Sequence, residues 1–184
     1  GNVISGSFSY NIDTTAPTYT ANDSSTVWRN SWALININPG FADAGGSGLA
    51  ITEYKWGNGP WQNAHNYIPP AGEGVNNLYL RVKDGADNWA SNSTAFTYYV
   101  DTSVPECFAA ENNNWHNFSS LYPTFIEHGP SGLAYRRYKW DSGTWADWAT
   151  GSVSDPGDGT HILYLTCADN AGNIASWEST YYVD

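Results

Sequence analysis

The sequence has no methionine, two cysteines and seven lysines and arginines in 184 residues. Charged residues make up only 14% of it, too few for a coiled coil or long-helix protein, which takes about half its residues from Ala, Glu, Lys, Leu and Arg. No apolar run approaches the roughly 20 residues that span a bilayer as a helix. Eighteen carboxylates against seven basic residues leave a net charge of -11. Such a surface repels nucleic-acid phosphates and anionic headgroups, so neither nucleic acid nor membrane insertion is expected. No basic-then-apolar leader opens the chain. With Gly1 first and no Met, it reads as a processed product or an excised fragment.

What is present in quantity is aromatic and turn-forming. Aromatics are 16% of the chain, with 10 Trp and 13 Tyr beside 18 Gly and 9 Pro. That mixture favours many short strands joined by tight turns.

Comparison of the chain with itself reveals a repeat of about 85 residues. Tyr54-Lys55-Trp56 recurs as Tyr138-Lys139-Trp140, Ser47-Gly48-Leu49-Ala50 as Ser131-Gly132-Leu133-Ala134, and Trp61 as Trp145. Leu78-Tyr79-Leu80 returns as Leu163-Tyr164-Leu165, and Tyr98-Tyr99-Val100-Asp101 as Tyr181-Tyr182-Val183-Asp184. Gly1-Asn2 precedes Asp13 as Gly172-Asn173 precedes Asp184. Residues 1–12 therefore read as the last strand of a preceding copy, 13–100 as one domain and 101–184 as a second, a window on a longer tandem array.

Within each copy the apolar period is two: Leu78, Leu80 and Val82 alternate with Tyr79, Arg81 and Lys83. About seven such strands per copy predict an all-β protein of two tandem immunoglobulin-like β-sandwiches preceded by one orphan strand. Gly6 to Ile12 alternates like a strand, and an unpaired edge invites another molecule to complete it. Neighbouring repeats or identical subunits are thus the expected partners.

In such a sandwich the entry linker, the loop between the second and third strands, and the turn between the last two strands share one end. The first copy brings Asp13, Asp43, and Asp84 with Asp87 and Asn88 to that end; the second brings Asp101, Glu127, and Asp169 with Asn173. Converging carboxylates repel and call for a hard cation held by oxygen ligands, for which calcium fits best. Asp and Asn are also good turn formers, and that simpler reading stands beside the metal site. The contiguous EF-hand pattern is absent.

Cys107 and Cys167 both belong to the second copy. A disulfide between them would close a loop of about 60 residues and contribute on the order of 4 kcal/mol in the chain-entropy model; two buried thiols packing as small apolar groups are the alternative. The sequons at Asn22, Asn92 and Asn117 suit an exported protein.

The Asp169-Asn170-Ala171-Gly172-Asn173 turn and the Tyr98-Tyr99-Val100-Asp101 junction resemble the tandem immunoglobulin-like repeats of bacterial and archaeal surface proteins and large adhesins. Tyr-Lys-Trp with a second Trp five residues on resembles the related repeat domain named after a leptospiral outer-membrane protein. The resemblance covers essentially the whole chain. It implies a secreted or cell-surface, non-enzymatic spacer or adhesive array rigidified by calcium at its junctions. Asp87 stands where the family's turn has Gly, and Glu127 stands where the first copy has Asp43.

Trp56 and Trp140, shared by both copies, are expected to pack structurally. Trp32, Trp89, Trp148 and Trp177 have no Trp counterpart and are the candidates for partner contacts, including stacking on glycan rings in a carbohydrate-binding module, the alternative function. No catalytic constellation is present: there is no Gly-x-Ser-x-Gly elbow, and His65, His116, His128 and His161 lack metal-ligand spacing. The expected function is structural or adhesive, in a stalk, surface layer or filament.

Overall fold

The computed structural model describes residues 5–35, 37–64, 67–110, 115–117 and 120–184. Among them every regular element is a strand except one 3-10 turn at Trp32–Leu34, capped by the Ser31 hydroxyl, which accepts from Ala33 N. In the first repeat these are β1 (Thr18–Thr20), β2 (Ser25–Arg29), β3 (Gly40–Ala42), β4 (Leu49–Trp56), β5 (Gln62–Asn63), β6 (Gly74–Asp84), β7 (Trp89–Ser91) and β8 (Phe96–Val100). The second has β9 (Glu106–Phe108), β10 (Trp115–His116), β11 (Thr124–Ile126), β12 (Leu133–Trp140), β13 (Ala146–Asp147), β14 (Gly159–Asp169) and β15 (Ile174–Val183).

The repeat seen in the sequence is a repeat of pairings. β4 runs antiparallel to β6 with Lys55 opposite Tyr79, and β12 runs antiparallel to β14 with Lys139 opposite Tyr164. Both ladders slip at the same place, between Leu49 and Ile51 and between Leu133 and Tyr135. The loops entering them turn through Gly48 and Gly132 at φ +79° and +78°, a conformation in which a Cβ is strained.

By contact density the chain divides into two compact units: Gly1–Ser24, Asn36–Pro70 and Asn77–Thr97 form one, and Ser25–Ile35, Ala71–Asn76 and Tyr98–Asp184 the other. In the first, β1 pairs with β3 while β4 carries β5 and β6 on its two edges, and β7 pairs with β6. Leu78, Leu80 and Val82 are fully buried, and Tyr54 and Ile68 nearly so, so the period-two phase marked the inward face. In the second unit β9 and β11 form a small sheet facing the sheet β10-β15-β14-β12-β13, and β2 pairs parallel with β8. Cys107 and Ala109 pack there with Val153, Leu163, Leu165, Cys167 and Tyr181. Segments 25–35 and 71–76 join the second unit although the repeat assigns them to the first copy. The reason is local: Asp101 N donates to Arg29 O, and Glu73 holds the residues after Asp101.

The turn after β12 carries a pH-sensitive tie. Asp141 accepts from Ile162 N at 2.8 Å, and its other oxygen meets His161 Nδ1 at 2.8 Å. Backbone bonding by Ile162, then His161, holds the Asp141 carboxyl below its ordinary value; the Asp141 bond raises His161 above its own. A raised His stabilises below the unfolded value near 6.5 and loses that contribution as pH rises through the folded one; a lowered Asp stabilises above about 4 and loses it on acidification. Urea midpoints at pH 5.5 and pH 9 should therefore show His161→Gln more costly at the lower pH. Equal costs would mean that the pair does not couple to folding.

Candidate metal centres

Each repeat gathers three acidic side chains at one end of its sandwich. Asp13 from the entry segment, Asp43 after β3 and Asp84 at the end of β6 each place an oxygen within 4.8 Å of the others. Asp101, Glu127 after β11 and Asp169 at the end of β14 do the same. The three points of the chain named from topology thus converge in both copies.

Main-chain N–H groups hold most of these oxygens. Asp13 accepts from Thr15 N and Ser47 N, as Asp101 does from Ser103 N and Ser131 N. The Ser47 hydroxyl and these N–H bonds hold the Asp13 carboxyl below its ordinary range. Asp84 accepts from Ala86 N and Asn88 N, as Asp169 does from Ala171 N and Asn173 N. Asp43 accepts from Gly45, Gly46 and Gly48. Glu127 differs: Oε1 accepts from His128 N and Gly129 N, whereas Oε2 is buried with no partner.

Three sequence candidates take other parts. Asn88 turns its amide nitrogen inward, donating to Asp84 Oδ2 and Asp13 O; Asn173 donates likewise to Asp169 Oδ2 and Asp101 O. They tie the linker to the turn instead of offering an oxygen ligand. Asp87 lies outside the cluster: at φ 70° its carboxylate points to solvent and pairs with Lys83 Nζ at 2.7 Å.

Sequence reasoning missed Gly45 and Gly129. A Cβ on either would stand 1.9 Å from the Asp13 or Asp101 carboxylate, so only glycine lets the linker acid sit against the loop. The signal was there, since both precede the repeated Ser-Gly-Leu by two residues. Glu73 was missed too. In the second unit its carboxylate accepts from Thr102 N, Thr102 Oγ1 and Ser103 Oγ, bonds that hold it below the ordinary carboxyl range, the Thr102 hydroxyl first.

The donor set suits a hard cation. Asp84 and Asp101 are fully buried and Asp169 is 2% exposed, and no ion pair among the described residues gives any cluster acid a Lys, Arg or His. Burying charge without a counter-charge is costly. The orphaned Glu127 Oε2 is an additional acceptor without a donor. An oxygen-seeking divalent ion such as calcium fits this donor chemistry, with Asp13, Asp43 and Asp84, or Asp101, Glu127 and Asp169, to hold it.

The remaining candidates separate by environment. Trp148 and Trp177 pack against the second core, Trp32 Nε1 donates to Gly72 O, and Trp89 is 48% exposed beneath Arg81 and Lys83. Trp56 and Trp140 donate to Pro69 O and Ser154 O, the shared packing role expected of them. Asn22 and Asn117 are exposed, although Phe118 and Ser119 of the latter sequon lie outside the described residues. The Asn92 amide is instead bound to Leu80 N, Leu78 O and Thr94 O, so a glycan there would break the edge of β6. Cys107 and Cys167 are buried free thiols in the structure, in place of the expected bridge. Burial raises both, Cys167 to about 12.

The fold and these clusters define an all-β protein of repeated β-sandwich type with an acidic centre in each repeat. No family model matches the sequence, and no curated protein matches it. Among solved structures the chain is similar to the fibronectin(III)-like modules of Clostridium thermocellum CbhA, at 13% identity and a TM-score of 0.39, over 91% of this chain and 94% of that one.

Proposed function

We propose that the chain is an extracellular segment of an array of immunoglobulin-like repeats, a stalk, surface layer or filament, stiffened by calcium where one repeat enters the next. The observation that carries this reading is the recurrence of one three-acid cluster in both copies, each including the linker residue, Asp13 or Asp101. An ion bound there would fix the linker to the loops of the repeat it enters. The protein does no chemistry in this reading; the acids hold shape. Titration calorimetry of calcium into chelator-stripped protein tests it: two saturable sites are expected, one of them lost in Glu127→Gln. An absence of binding heat at millimolar calcium, with no change in stability, overturns it.

The entry segment gives the array a means of assembly. Residues 5–12 lie outside any strand, and Phe8, Tyr10 and Ile12 are each more than 80% exposed at alternate positions; residues 1–4 lie outside the described set. Alternating apolar groups on an unpaired segment suit strand addition to a neighbouring copy. Deleting residues 1–12 is expected to abolish polymers seen by light scattering. Polymers that persist, or a full chain that stays monomeric at high concentration, remove this element.

A further inference from the structure

The two repeats supply an internal control for a cleft beside the third strand. In the first, Ala64 N donates to Thr52 O at 2.9 Å; in the second, Trp148 N donates to Arg136 O at 2.8 Å. The backbone is the same and 84 residues apart, and a cleft of about 400 Å³ opens there in each copy. Its lining differs. The first is walled by Leu49, Ile51, Thr52, Glu53 and Asn63. The second has Arg136 and Arg137 with Tyr135, Asp147 and Trp148.

Arg136 lies 5.4 Å from the centre of the Trp148 ring. Phe125 packs against the same indole with ring centres 5.1 Å apart, and the indole N–H is bound to Gly151 O, so the ring is held in place. No carboxylate meets Arg136 among the described residues. Arg137, by contrast, pairs with Asp147 at 2.7 Å and lies over Tyr135. Both members of the Arg136–Trp148 contact are absent from the first copy, where Thr and Ala keep the same backbone.

We infer that this cleft binds a carboxylate-bearing sugar, a hexuronate unit of an acidic polysaccharide. A planar guanidinium held on an indole presents its fork to a carboxylate. Asp147, 80% exposed at the rim and paired with Arg137, leaves oxygen lone pairs to accept from sugar hydroxyl groups, while Tyr135 offers a ring face. The volume is at the small end for ligand pockets and suits one or two sugar rings. The inference is independent of the array reading.

The test uses the full chain in excess chelator, so its failure leaves the calcium sites untouched. A galacturonic acid trisaccharide and its neutral galactose counterpart are titrated while amide shifts and tryptophan fluorescence are followed. Saturable binding of the acidic trisaccharide alone is expected, weakened at least tenfold in Arg136→Gln, partly kept in Arg136→Lys, and reduced by salt. No saturation at millimolar sugar, equal binding of the neutral trisaccharide or a glutamate-rich peptide, or full binding by a folded Arg136→Gln variant overturns the inference.

Discussion

Calcium is expected to raise the thermal unfolding temperature of this protein by about 10 °C or more, and excess chelator to reverse the rise. Ligand binding to the native state alone stabilises by about 2.7 kcal/mol at a hundredfold excess over Kd, and each kcal/mol moves a domain of this size by about 4–8 °C. The variants must separate metal from scaffold. Asp101→Ala removes the acceptor for Ser103 N and Ser131 N, so it should lower stability even in chelator. Glu127→Gln preserves shape and one acceptor oxygen while removing a charge from the cluster in which Oε2 has no partner. It should leave the chelator curve nearly unchanged and abolish the calcium increment of the second repeat. Asp43→Asn serves the same purpose in the first. Superimposable curves with calcium and with chelator would return both clusters to the role of hydrogen-bonded turns.

Oxidation of the thiol pair is expected to have the next largest effect. Cys107 on β9 and Cys167 on β14 face one another from the two sheets of the second repeat. A bridge would close about 60 residues and stabilise by on the order of 4 kcal/mol in the chain-entropy model, a shift on the order of 20 °C for one domain. The reduced protein should resist alkylation at pH 8, because the thiolate is the reactive form and burial pushes Cys167 up to about 12; urea should expose both thiols. Unfolding curves with and without reductant, thiol counts and a Cys107→Ala variant check this. A thiol count of two after oxidant treatment, with unchanged stability, would establish the pair as core packing.

The acidic centres show how far residue patterns reach. Asp13, Asp43 and Asp84, and Asp101, Glu127 and Asp169, could be named because a sandwich topology brings loop ends together and because each set recurs. Asp87 could not be sorted from them, since one turn position decides between facing the cluster and facing Lys83. The amides of Asn88 and Asn173 pair with the acids as donors, a distinction that depends on which end of a side chain a neighbouring carbonyl selects. Repetition did not sort the tryptophans by exposure: Trp148 and Trp177, unmatched between copies, are partly buried against the second core, whereas the matched Trp145 is 46% exposed beside Lys139.

Charge placement was hidden more deeply. Among the described residues, cationic side chains sit over aromatic rings in both repeats: Lys55, Arg81 and Lys83 in the first, and Arg136, Arg137 and Lys139 in the second. Each such contact contributes roughly 0.5–1 kcal/mol when exposed. They depend on which side chains lie across a strand pair from one another.

Period-two alternation, Gly- and Asn-rich turns and an 85-residue self-match determined by themselves that this protein is all-β, that it repeats, and which residues face inward, because strand geometry ties burial to sequence parity. Tertiary structure alone decided that Gly45 and Gly129 make room for the linker acids, that Glu73 grips Thr102 and Ser103, and that Arg136 meets Trp148 in one repeat where the other has Thr52 and Ala64 on the same backbone. Those relations join residues between about 12 and 32 positions apart in the chain, and only the register of the folded strands and loops brings them within contact.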